Sequence, residues 1–311
     1  NHAFRGVWEA FPAKRHLVTT TVEHPAVRAL VLWWKGQGGT ITDVGVDGEG
    51  RLDLAALEAA VRPDTALVAV MAANNESGVL FPVAEAAGIA RAKGALFLVD
   101  ATQAMGKIPV DAAAWGVDLL SLSGHKFHGP KGTGALMIRR GVRLKPLMLG
   151  GSQERGRRGG TENVPGLVGL GMAAELARLG LPDMERLRGL RDTLEARLLA
   201  DIPEVRLHGG GAPRLPNTCL AGFAGLEGEA LQLRLGEHGI CVSTGSACST
   251  GMREPSHVLR AMGVPEAYAV GTVRFSLGRG TTEEELARVL GLLPGLVAGL
   301  REVQGFRRHE R

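Results

Sequence analysis

The chain has 311 residues, 45% apolar and 22% charged, with a formal net charge of +4. That is room for two domains with real cores, and it excludes a disordered or strongly basic chain. The two basic clusters, at 155–158 and 307–311, have no interleaved aromatics, which argues against nucleic-acid binding. The three cysteines, Cys219, Cys241 and Cys248, form no disulfide framework and point to a reducing, cytoplasmic compartment. No apolar run approaches about 18 residues, so no membrane span is expected.

The chain does not begin with Met, and residues 1–8 read as a helix already under way. It is therefore expected to begin inside a longer protein. Strands are predicted at 17–21, 40–43, 66–71, 95–99, 119–121 and 135–138. Helices are predicted at 26–35, 54–61 and 83–93, with a short turn near 111–115. Strands that alternate with helices, several of them apolar throughout, indicate an α/β fold with a mostly parallel sheet covered on both faces. Ligands in such folds sit beyond the carboxyl ends of strands, and Asn75, Asp100 and Lys126 each follow one.

Two long helices, 161–179 and 183–200, flank a Gly180-Leu181-Pro182 break that reads as a hinge. Residues 1–180 are thus expected to form a large domain and 181–311 a smaller α+β domain. The latter has strands at 217–223, near Cys241 and at 271–276, and helices at 227–238, 255–262 and 282–300. Cys219 and Cys241 lie in apolar runs and are expected in the core.

Lys126 sits in a turn crowded with glycine, serine and histidine, Ser121-Leu-Ser-Gly-His-Lys126-Phe-His-Gly-Pro-Lys-Gly. An amine held there can form a Schiff base with an aldehyde cofactor, and the Ser and His before it offer donors to a phosphate. Asp100 closes an apolar strand, where a carboxylate is costly unless paired. A protonated pyridine nitrogen would pair it and turn pyridoxal phosphate into an electron sink. A helix cap or an internal ion pair would serve as well.

Asn75, in Asn74-Asn75-Glu76-Ser77-Gly78, reads either as a turn residue or as an amide for the phenolic oxygen or a substrate carboxylate. His24 precedes Pro25 at a helix start; it reads as a surface histidine or as a ring that stacks on the pyridine and moves protons. Local structure accounts for the proline but not for the histidine. Cys248 lies among small polar residues that could not pack a core, so it is an incidental loop cysteine or an accessible nucleophile. Arg274 is a charge in an apolar strand, suited to a bidentate clamp on an amino-acid carboxylate or to an internal salt bridge. No spacing suggests a metal or an iron–sulfur cluster.

Together these segments resemble the cysteine desulfurases of the NifS and IscS type, in the class V aminotransferase group. The matching text is Glu-His24, Asn74-Asn75-Glu-Ser-Gly, Val-Asp100-Ala-Thr-Gln103, Ser123-Gly-His-Lys126, Glu154-Arg-Gly-Arg-Arg-Gly-Gly-Thr161, Ser246-Ala-Cys248, Glu254-Pro-Ser-His-Val-Leu-Arg260 and Val-Arg274-Phe-Ser-Leu-Gly. The order is right along the whole chain.

The resemblance implies the type I fold of pyridoxal-phosphate-dependent transferases, as in aspartate aminotransferase. It implies that Lys126 carries the cofactor, with Asp100 on the pyridine nitrogen and Gln103 on the phenolic oxygen. His24 would stack on the ring, and Ser123 and His125 would hold the phosphate. Thr161 would reach the phosphate of a neighbouring subunit, which makes the protein a homodimer. Arg274 and Asn75 would orient the substrate carboxylate. The expected reaction removes sulfur from L-cysteine, releases alanine and leaves a persulfide on Cys248 for an acceptor such as an iron–sulfur scaffold.

The chain departs from the family at its start: an opening resembling Tyr-Leu-Asp-Asn-Ala-Ala-Thr-Thr and a Gly-Thr-Glu phosphate loop are absent. On that ground weak cofactor binding or poor folding is expected of this chain alone. Other readings are a selenocysteine lyase, a transaminase that needs no Cys248, and a non-catalytic fragment that binds a sulfur acceptor.

Overall fold

The computed structural model describes residues 1–244 and 255–305, so Cys248 and its loop lie outside the described residues. Two compact units divide them. The first comprises residues 1–46, 52–74 and 80–181; the second comprises 47–51, 75–79 and the chain from 182 onward.

In the first unit the apolar runs become strands β1 (His16–Thr20), β2 (Thr40–Val44), β3 (Thr65–Met71), β4 (Leu96–Asp100), β5 (Leu119–Ser123) and β6 (Gly134–Ile138). They lie in the order β2-β1-β3-β4-β5-β6, all neighbours parallel except the last pair. All seven residues of β3 are buried, as a central strand covered on both faces requires. The first residues do form a helix, α1 (His2–Ala10). Helices α2 (Pro25–Gly36), α3 (Leu54–Ala60) and α4 (Val83–Ala92) follow. Helix α2 buries Val27, Leu30, Val31 and Trp34, one face at helical spacing, against the sheet's apolar cluster.

A one-turn α5 (Gln153–Gly156) holds Glu154 and Arg155 at positive φ. The long helix α6 (Val164–Leu179) starts three residues later than the sequence suggests, because the Asn163 side chain accepts from the Gly166 N–H and caps it there. Residues 111–115 make only a turn, closed by Asp111 Oδ1 on the Ala113 and Ala114 N–H groups at 2.9 Å.

The second unit contains α7 (Met184–Asp201), β7 (Val205–Leu207), β8 (Thr218–Phe223), α8 (Gly228–Gly236), β9 (Ser243–Thr244), α9 (His257–Ala261), α10 (Glu266–Ala269), β10 (Thr272–Ser276) and α11 (Glu283–Val303). Its sheet runs β7-β8-β10-β9, antiparallel throughout. Leu187, Leu194 and Leu198 of α7 join Phe223, Leu231, Leu235 and Leu293 in its core. Strand β7, three residues long, is too short to give an apolar period and has no counterpart in the sequence reading. Cys219 is buried as expected, but Cys241 is exposed, because the short strand begins two residues after it. Among the described residues no single helix is long and apolar enough to cross a membrane.

Candidate active site

Lys126 owes its position to its neighbours. Strand β5 continues to Ser123 and gives way to a 3-10 turn, Gly124–Phe127, ended by His128 in the left-handed region at φ 67°. The Gly124 N–H donates to Thr133 O at 2.9 Å, and the Gly124 carbonyl accepts from Gly129 at 2.9 Å. A Cβ on Gly124 would come within 2.6 Å of Thr133 Oγ1 and 2.9 Å of Leu170 Cδ1, so only glycine fits. Phe127 is buried against Leu170, Ala173 and Ala177 of α6. Burying one such ring contributes about 1.5–3 kcal/mol. Lys126 and His125 are thereby exposed on a backbone fixed from behind. Ser123 Oγ and His125 Nδ1 are 2.8 Å apart. A hydroxyl that donates to Nδ1 puts the ring proton on Nε2, the nitrogen then left to donate to an anion.

Asp100 is the last residue of β4, in register with Met71 on one side and Ser121 on the other. This puts it one strand away from the Lys126 turn, at the same carboxyl end of the sheet. It is half-buried, and Oδ1 accepts from the Thr102 N–H at 3.0 Å. Among the described residues no ion pair engages it. Gln103, half-buried on the turn after β4, accepts from Lys107 Nζ at 2.8 Å through Oε1 and at 3.0 Å through its carbonyl.

His24 is exposed on the turn after β1. Its Nδ1 accepts from the Ala26 N–H at 3.2 Å and caps α2. The histidine therefore has a local structural role that the sequence reading did not supply. Two polar ties hold its turn to the end of β3. Glu23 Oε1 accepts from Thr20 Oγ1 at 2.8 Å and from the Met71 N–H at 2.9 Å, and Asn74 Nδ2 donates to Val22 O at 3.2 Å. Glu23 is fully buried; burial pushes its pKa up to about 8, and the Asp100 charge adds to the rise. Thr161 stands apart, exposed two residues before the Asn163 cap.

In the second unit Arg274 lies on β10, opposite Leu220 of β8 and Ser243 of β9. It is half-buried, with Nη1 donating to Asn75 O at 2.7 Å and Nε donating to Ser276 Oγ at 3.1 Å. A backbone carbonyl thus takes the place of the carboxylate that an internal salt bridge would need. Burial lowers the Arg274 pKa, and the charge of nearby Glu76 opposes that. Glu76 is itself buried, and its Oε2 accepts from Ser256 Oγ at 2.6 Å. Burial raises its pKa to about 7 against the pull of Ser256 and Arg274. Asn75 Oδ1 is buried with no partner among the described residues. A buried amide oxygen left without a donor costs about 1–3 kcal/mol.

Sequence reasoning missed Glu23, Glu76 and Lys107. For Glu23 and Glu76 the only signal was adjacency to His24 and Asn75, since burial of a carboxylate on a turn is set by packing from distant segments; for Lys107 it was the four-residue spacing from Gln103.

The donor set of the first unit fits pyridoxal phosphate. It offers an exposed amine for the aldehyde, a carboxylate at a strand end for the ring nitrogen, an amide, and a serine–histidine pair for the phosphate. Fold and donor set define a pyridoxal-phosphate-dependent enzyme of the type I transferase fold.

The family model described as aminotransferase class V matches residues 1–289. Cysteine desulfurase 2 of Trichormus variabilis is 51% identical over 306 residues, 98% of this chain and 77% of that protein. A solved structure named as a NifS-like protein superposes with TM-score 0.88 at 39% identity, covering 96% of this chain and 79% of the other. The structure of SspA in complex with cysteine does so with TM-score 0.76 at 31% identity, covering 91% and 79%. The chain belongs to the class V aminotransferase family, among its NifS-type cysteine desulfurases.

Proposed function

We propose that this chain removes sulfur from L-cysteine with Lys126, Asp100 and Cys248 as its central residues, giving L-alanine and a persulfide on Cys248. The observation that carries the reading is the register of Asp100 with Ser121, which sets the carboxylate one strand from the fixed turn of Lys126. Pyridoxal phosphate, when bound, supplies the electron sink that makes the substrate's α-proton acidic.

Lys126 Nζ would hold the cofactor aldehyde and, as a free amine, would be the base for the substrate's α-proton. The Asp100 carboxylate keeps the proton on the ring nitrogen. Gln103 donates to the phenolic oxygen. Ser123 Oγ and His125 Nε2 bind the phosphate. His24 covers the ring and passes protons with Nε2. Arg274 binds the substrate carboxylate with its guanidinium fork, and Asn75 donates its amide to the same group. The Cys248 thiolate attacks the substrate sulfur: a sulfur–sulfur bond forms as the carbon–sulfur bond breaks, and the electron pair stays with the carbon fragment that becomes alanine.

The same reading makes the protein a cytoplasmic homodimer in which Thr161 reaches the partner's phosphate, and which passes sulfur to an acceptor such as an iron–sulfur scaffold. Support for a second copy comes from α6. Its inner face packs Leu170, Ala173 and Ala177, while Val164, Val168, Met172 and Leu179 are exposed on the outer one. The experiment that tests the reaction is alanine and sulfide release from L-cysteine with pyridoxal phosphate and a thiol reductant. Cys248→Ala abolishes it and keeps the cofactor's visible band. Alanine formation that survives in the variant would move the assignment to a lyase or transaminase.

A further inference from the structure

Gln103 and Lys107 lie four residues apart on the turn that leaves β4, both half-buried. Lys107 Nζ donates to the Gln103 side-chain oxygen at 2.8 Å and to the Gln103 carbonyl at 3.0 Å. An ammonium has three donors and no acceptor. Its partner on the amide is therefore the oxygen, since the flipped amide would set an NH2 against an NH3⁺. With the oxygen taken, the NH2 end is the one left to meet a ligand.

The turn that carries the pair is fixed by the packing that also holds the Lys126 turn. Gly106, directly before Lys107, has φ +72°, and a Cβ on it would lie 3.0 Å from Ala177 Cβ and 3.4 Å from Phe127 Cβ. Backbone bonds from Ala104 to Ala101 and from Lys107 to Ala104, both 3.0 Å, close the turn.

We propose that Lys107 is a positioning residue which, by occupying the amide oxygen of Gln103, makes Gln103 a one-way donor to the phenolic oxygen of bound pyridoxal phosphate. The inference rests on the role given to Gln103 under Proposed function. It differs from a plain surface pair, which would alter stability and leave the cofactor untouched.

The test is a pH titration of the visible absorbance of the pyridoxal-phosphate-loaded protein. Removing a donor from the phenolic oxygen makes that oxygen a stronger partner for the neighbouring proton. Gln103→Ala should therefore raise the titration midpoint, by roughly one pH unit. Lys107→Met should raise it in the same direction by about half as much or more, while Lys107→Arg stays near the parent. Placed in the Gln103→Ala background, Lys107→Met should add little, because the group it orients is gone.

An unchanged midpoint in Lys107→Met beside a raised one in Gln103→Ala overturns the proposal and leaves the Gln103 role standing. A shift of the same size in both backgrounds also overturns it, since that is the signature of the lysine charge acting directly. An unchanged midpoint in Gln103→Ala removes the Gln103 role and the proposal with it. Thermal unfolding checks that each variant folds. Lys107→Gln, which donates or accepts and so leaves the amide free to flip, replaces Lys107→Met if the latter does not.

Discussion

The Lys126 turn and the Arg274 cluster solve opposite problems. The first exposes its reactive groups and buries what lies behind them: Phe127 is packed in, Gly124 admits no side chain, and Lys126 is exposed. The second buries its charges and must partner them: Arg274 takes the Asn75 carbonyl, and Glu76 takes the Ser256 hydroxyl. Precision in the first comes from backbone geometry, which substitution of the functional side chain leaves intact. In the second it comes from a polar network, where every member also carries stability. The two regions should therefore answer mutation differently.

The largest separation is expected at Arg274. Arg274→Lys keeps the charge but loses the planar fork and the paired bonds to Asn75 and Ser276. With hydrogen bonds to charged groups contributing about 1.5–3 kcal/mol, KM for L-cysteine should rise roughly 10- to 100-fold with a smaller change in kcat. Steady-state kinetics check this; a fall in kcat alone would place Arg274 away from the substrate carboxylate.

Next comes Gly124→Ala. The added Cβ meets Thr133 and Leu170 well inside contact distance, and overpacking of this kind costs about 1–3 kcal/mol. Lys126→Ala, four bonds of side chain removed from an exposed position, should change denaturant stability by no more than about 0.5 kcal/mol. Equal losses in the two variants would break the contrast drawn above.

The buried cluster should also show a pH dependence. The Glu76 carboxyl has its pKa raised from 4.5 to about 7 by burial. Its neutral form is therefore favoured in the fold, and the stability this contributes is complete below pH 4.5 and is lost as pH rises through about 7. Glu76→Gln keeps an acceptor for Ser256 and cannot ionise. Relative to the parent it should gain on the order of 1–3 kcal/mol between pH 5 and pH 8.5, read by denaturant melts at both pH values. Parallel pH profiles would show that Glu76 is ionised in the fold at both ends of that range.

The sheet was legible in the sequence because β3 from Ala66 and β4 up to Asp100 are unbroken apolar runs, separated from their neighbours by amphipathic ones. Lys126 and Asp100 were legible for the same reason, since a strand end locates its last residue to within a step. His24 was located but half understood: its place at the helix start was clear, whereas the cap it makes to Ala26 needs a side-chain direction that no spacing supplies. Cys241 went the other way. Its apolar neighbours suggested a core position, but the strand begins at Ser243 and leaves the thiol exposed. Glu23 and Glu76 were invisible because each is defined by a partner brought in by the fold, and Lys107 because its bond to Gln103, four residues back, needs a side-chain direction that no spacing supplies. Glu23 bonds Met71, 48 residues away, and Glu76 bonds Ser256, 180 residues away.

The central claim is that the turn after β5 holds the cofactor through Lys126. Borohydride reduction of the pyridoxal-phosphate-loaded protein followed by peptide mapping tests it directly. The account predicts a pyridoxyl group on Lys126 and none on Lys107 or Lys131, with the label and the visible band both lost in Lys126→Ala. A label on either of the other lysines, or one that persists in Lys126→Ala, would contradict it.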